Sequence, residues 1–131
     1  MNQIKMNRLN KVVIRGFKSI KACEIELRSI NVFIGSNGSG KSNFISLFEL
    51  LQKILQRELA LYTGKKGITS LLYNGKAVTD SIFAEFCYGD GRYSFELEWT
   101  ENDSLFFRKE SYYHFGLKTT ILLESCGTKT S

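Results

Sequence analysis

Eight consecutive residues constrain this chain more than anything else in it. Gly35-Ser36-Asn37-Gly38-Ser39-Gly40-Lys41-Ser42 has the spacing G-x-x-x-x-G-K-[ST] of a phosphate-binding P-loop. Three glycines let the backbone curl without Cβ clashes, so that successive N–H groups face one concave nest. Lys41 adds a mobile charge suited to β- and γ-phosphates, and the Ser42 hydroxyl suits one coordination position of Mg²⁺. A helix opening near Ser42 would aim the positive end of its dipole at the same anion.

Such a loop needs a buried strand before it and a helix after it. Upstream, Ile30-Asn31-Val32-Phe33-Ile34 is a short β-branched apolar run, and it predicts the strand. Downstream, Phe44, Leu47, Phe48, Leu51, Ile54 and Leu55 recur at helical spacing. They predict an amphipathic helix over residues 42–61 that buries Phe44, Leu47, Phe48 and Leu51. Two further strands are expected at 9–17 and 22–27, joined by the turn Gly16-Phe17-Lys18-Ser19-Ile20. Thr63-Gly64-Lys65-Lys66-Gly67 breaks the helix.

A second clear pattern lies between residues 81 and 112. Ile82, Ala84, Phe86 and Tyr88 alternate with polar or smaller neighbours, Gly89-Asp90-Gly91 turns, and Tyr93, Phe95, Leu97 and Trp99 alternate again. A third strand follows from Leu105 to Tyr112. Period-2 alternation predicts an antiparallel meander with one apolar face, its aromatic stripe serving as core rather than as a stacking platform for bases. The expected organisation is one lobe over residues 1–115 and a poorly ordered Thr/Ser/Lys/Gly tail over 116–131.

The remaining composition excludes more than it selects. No apolar stretch reaches the roughly 20 residues of a membrane helix, and the N-terminus carries no apolar signal core, so the expectation is a cytoplasmic protein without membrane contact. Cys23, Cys87 and Cys126 have no zinc-like spacing and are expected as free thiols. His114 is the only histidine and has no partner ligand near it in sequence. The net charge of +5 is spread along the chain, enriched over the first 28 residues, and leaves DNA as an alternative partner.

These residues together resemble a family. A strand ending in Gly16-Phe17-Lys18-Ser19, a second strand, and then Phe33-Ile34 running through the P-loop to Asn43 are similar to the N-terminal half of RecF/SMC/OLD-like proteins. These are ABC-type ATPases of DNA repair, chromosome maintenance and phage defence, often labelled AAA family ATPases. The resemblance spans roughly residues 9–112. It implies an α/β P-loop NTPase N-terminal lobe with an antiparallel β-meander, ATP and Mg²⁺ as ligands, and a composite site completed by a second ATPase lobe or a homodimer. By position it also places Lys18 and Ser19 beside the nucleotide. The departures are as informative. A Walker B strand of four apolar residues ending in Asp-Glu is missing; Val78-Thr79-Asp80 and Ile121-Leu122-Leu123-Glu124 come nearest. No L-S-G-G-Q-like signature and no switch histidine is present, so the chain looks like a family member cut off after its first lobe and incomplete for hydrolysis alone. The competing expectation is a non-enzymatic protein- or DNA-interaction module with a residual P-loop. A P-loop kinase or GTPase-like switch fits less well, since D-x-x-G and N-K-x-D are absent.

Overall fold

The computed structural model describes residues 8–35, 40–116 and, by backbone alone, 119–123. Six strands form one antiparallel sheet in the order β2-β1-β3-β4-β5-β6. They are β1 (Leu9–Phe17), β2 (Ile20–Glu26), β3 (Ser81–Tyr88), β4 (Gly91–Trp99), β5 (Leu105–His114) and β6 (Thr119–Leu123). The two N-terminal strands and the meander are therefore a single surface, joined where β1 pairs with β3 through Val12↔Phe86 and Ile14↔Ala84.

Alternation along the strands makes one face of this sheet the core. Val12, Ile14, Ile82, Ala84, Phe86, Phe95 and Leu97 are buried on it. Tyr93, Trp99 and Phe107 pack at its margin. The aromatic stripe of β4 is thus core, as its period-2 spacing predicts. Gly16 is where β1 needs glycine. Its φ is +75°, and a Cβ there would collide with the Ser81 carbonyl oxygen at the start of β3. The kink also shifts the parity of the strand, so that Phe17 turns inward and is fully buried.

Helix α1 (Lys41–Leu55) lies over the core face and buries Phe44, Leu47 and Leu50. Phe48 and Leu51, expected to be buried, are only half-buried, because the buried stripe runs through Leu50 instead. The helix also ends earlier than residue 61. Arg57 adopts a left-handed φ of 59°, Glu58 N–H bonds back to the Lys53 carbonyl, and a 3.1 Å Lys53–Glu58 ion pair bridges the break. Two short helices follow, α2 (Leu59–Lys66) and α3 (Ile68–Leu71), and they seat Tyr62, Ile68 and Leu71 in the same core.

One expectation fails. The strand expected at residues 30–34 is not in the sheet: those residues carry no strand pairing, and Ile30, Val32 and Ile34 stand in solvent. The run has strand-forming composition, but no described strand lies alongside it to pair with it. Within the segment expected as a tail, residues 119–123 form β6, paired with β5 through Tyr112↔Ile121 and Tyr113↔Thr120. Three consecutive apolar residues, Ile121-Leu122-Leu123, supply that strand. Residues 117–118 and 124–131 lie outside the described residues.

Candidate functional site

The turn between β1 and β2 and the start of α1 meet at one point. Phe17 bridges to Leu72, Lys18 N–H donates to the Leu71 carbonyl at 2.9 Å, and Tyr73 N–H donates to the Gly16 carbonyl at 3.1 Å. These bonds pin the turn against the connector after α3. Lys18 holds a left-handed φ of 50°, its ammonium 5.7 Å from the Phe17 ring centroid. Ser19, exposed at the tip, accepts a 2.6 Å hydrogen bond from the side-chain amide of Asn43 in the first turn of α1. Lys18 and Ser19 therefore stand beside Gly40–Asn43, although more than twenty residues separate them in sequence.

The helix start itself is open. Gly40 precedes it with φ 96°, a left-handed conformation that L side chains rarely adopt. No side chain caps it, and no acidic residue sits in its first turn. Its leading N–H groups and its dipole thus face outward without a competing carboxylate. Lys41 is half-exposed and folds its ammonium back onto the Gly35 carbonyl oxygen. Ser42 is exposed, and its carbonyl accepts from the Ser46 hydroxyl at 2.9 Å. Phe33 packs on Phe44 with ring centroids 5.0 Å apart and carries the chain toward the loop along α1. Ser36, Asn37, Gly38 and Ser39, the middle of the expected nest, lie outside the described residues.

On both sides of that gap the residues suit a polyphosphate. The donors are backbone N–H groups, an ammonium and a hydroxyl, and the Gly35 carbonyl that now holds Lys41 is an acceptor that phosphate oxygens would replace. A magnesium ion bound with a nucleotide would take most of its ligands from phosphates and water, and the Ser42 hydroxyl could supply one protein ligand. Among the described residues no group of three metal-ligating side chains exists.

The acids and the histidine that could serve hydrolysis have structural roles. Glu96 accepts from the Ser81 hydroxyl at 3.1 Å on the outer face of the sheet. Asp80 is exposed next to Thr79, a buried residue whose carbonyl accepts from the Trp99 indole at 3.0 Å. Val78-Thr79-Asp80 is therefore a structural corner. Glu124 is outside the described residues. His114 ends β5, its Nδ1 accepting from Gly116 N–H at 3.2 Å. Burial, reinforced by Glu85, pushes the Cys87 thiol up, away from nucleophilic form.

A concavity of about 380 Å³ opens on the outer face, between Phe83, Glu85, Arg92, Ser94, Lys109 and Tyr113. Arg15 stacks over Phe83 at 4.2 Å and Arg92 over Tyr113 at 5.2 Å. Acids and bases alternate across this face, with Lys11 on Glu24 and Arg108 on Glu98 as ion pairs, so it offers no single-sign track. No helix among the described residues is long and apolar enough to cross a membrane.

The Ser19–Asn43 contact was not foreseen from the sequence. Its signal was present only as two polar residues in separate motifs. The sequence profile of the AAA ATPase domain family matches residues 8–122, most of the chain. The chain belongs to that family, whose members are ATP-binding proteins of ATPase type. No curated protein and no solved structure matches it significantly.

Proposed function

Taking family membership as the premise, we propose that this chain is the ATP-binding lobe of an ABC-type ATPase of the RecF/SMC/OLD-like group, gripping ATP–Mg²⁺ through Gly35–Ser42. The observation that carries this reading is the helix start at Gly40–Asn43, with no acidic residue in its first turn and with Ser19 hydrogen-bonded to it. Backbone N–H groups of residues 36–42 hold the β- and γ-phosphates, Lys41 leaves the Gly35 carbonyl to reach them, and Ser42 ligates the metal. Lys18 and Ser19 border the α-phosphate and base side. The bound metal supplies charge neutralisation at the phosphates.

Grip alone stabilises ground state and transition state alike, so it does not accelerate hydrolysis. Turnover needs an acid that orients the attacking water and a group that meets charge developing on the γ-phosphate. Glu96 and His114 are engaged in structural hydrogen bonds and Asp80 is an exposed corner residue, so we assign those groups to a second lobe or a second copy. A role alongside DNA repair, chromosome maintenance or phage defence follows from the resemblance of the Gly16–Ser19 and Gly35–Asn43 motifs. Photocrosslinking with an azido-adenine nucleotide tests the placement. Label in residues 17–21, removed by excess ATP, is expected; label confined to the meander contradicts it.

A further inference from the structure

The turn that carries Ser19 is held from one side by main chain. Phe17 pairs with Ile20 across it, so Lys18 and Ser19 form its tip. Lys18 N–H bonds to the Leu71 carbonyl and Tyr73 N–H to the Gly16 carbonyl, and these bonds fix where the tip stands. From the other side, Asn43 reaches it with a side chain. Asn43 is the third residue of α1, the position from which a glutamate or glutamine ordinarily folds back to cap a helix. Here the residue is a neutral amide, and it turns away from its own helix end: Nδ2 donates to Ser19 Oγ at 2.6 Å, while no side chain caps α1. A local cap is forgone for a bond between distant segments, and such departures from the locally best choice are expected at functional sites.

A serine hydroxyl has one proton to give and two lone pairs to fill. The Asn43 amide fills a lone pair, which leaves the proton, and among the described residues no acceptor takes it. The hydroxyl also stands beside the phosphate loop: a Cβ on Gly40 would lie 3.7 Å from Ser19 Oγ. An exposed donor whose acceptor side is engaged, next to the last glycine of that loop, suits an anionic oxygen.

We propose that Asn43 is a positioning residue for nucleotide binding: its amide holds the Ser19 hydroxyl so that the proton is given to an oxygen of the bound polyphosphate. This rests on the ATP reading above. Asn43 acts through Ser19, so its effect on affinity vanishes once the hydroxyl is gone. A tie that merely stiffened the fold would move the melting temperature and would be blind to the serine proton.

Titration calorimetry of ATP–Mg²⁺ into a double-mutant cycle reads this coupling. Ser19→Ala should weaken binding about 10-fold and Asn43→Ala about 5-fold, while the double variant stays at about 10-fold. Ser19→Thr, which keeps the hydroxyl, should bind within about 2-fold of the parent, and Ser19→Val, the same shape without it, should match Ser19→Ala. Ser19 is exposed and Asn43 half-buried, so each variant should melt within about 4 °C of the parent. Losses that multiply to about 50-fold in the double variant, single variants that bind as the parent does, or equal binding by Ser19→Thr and Ser19→Val would each overturn the proposal. In those cases binding that still depends on Lys41 keeps the ATP reading. Parent binding that Lys41→Ala does not weaken would overturn that reading and this proposal together.

Discussion

Ile14→Ala and Ile34→Ala delete the same atoms from the same residue type, and the structure assigns them very different costs. Ile14 is fully buried between β2 and β3, packed in the cluster that includes Val12, Phe17 and Ala84. Truncation there loses the transfer free energy of the removed groups and leaves a cavity, about 2–5 kcal/mol together. Ile34 is 90% exposed, so its truncation removes almost no buried area and should stay within about 0.5 kcal/mol. Urea denaturation of both variants and the parent measures the difference. At roughly 4 °C per kcal/mol for a chain of this size, thermal melts should show a fall of about 8–20 °C for Ile14→Ala and almost none for Ile34→Ala. A loss of about 2 kcal/mol or more at Ile34 would refute the reasoning, since only a residue buried within the monomer can lose that much.

Gly16→Ala should lose about 2 kcal/mol or more, from the left-handed φ and the collision with Ser81, while Gly64→Ala, with nothing near its Cβ position, should be neutral or slightly stabilising in the same denaturation assay. Tyr93 donates to Glu110 at 2.6 Å, and burial first, then that carboxylate, push its phenol above the ordinary range. A raised folded-state value means the stabilisation is fully present below the unfolded tyrosine's pKa of about 10 and is lost as pH rises beyond it; alkaline denaturation should be steeper for the parent than for Tyr93→Phe. A phosphate-release assay on the purified chain should show ATP turnover at or below background, and fast turnover abolished by Lys41→Ala would reveal a catalytic acid outside those weighed above.

Those predictions draw on different levels of the sequence. The meander was legible because Tyr93, Phe95, Leu97 and Trp99 alternate without interruption, and burial on one face is what such alternation means. The start of α1 was legible from Gly40-Lys41-Ser42 and the stripe of Phe44 and Leu47. Its end was not, because the left-handed residue is Arg57 rather than a glycine, and the break is held by a Lys53–Glu58 pair that no propensity encodes. Residues 30–34 misled for a related reason. An apolar β-branched run specifies strand-forming potential, but pairing is a property of what lies alongside, and in this fold nothing described does. At the site, the P-loop spacing was plain, whereas the Asn43–Ser19 bond depends on how the turn after Phe17 is tied to Leu71–Tyr73, which is tertiary information.

Titration calorimetry of ATP–Mg²⁺ into the parent chain and into Lys41→Ala tests the central claim most directly. Lys41 is half-exposed, and among the described residues its ammonium bonds to the Gly35 carbonyl, so its removal should leave the melting temperature essentially unchanged. One charge-assisted contact to the phosphates is lost, about 1.5–3 kcal/mol, which is about a 10- to 150-fold weaker affinity. A folded Lys41→Ala chain that binds ATP–Mg²⁺ as tightly as the parent would contradict the account.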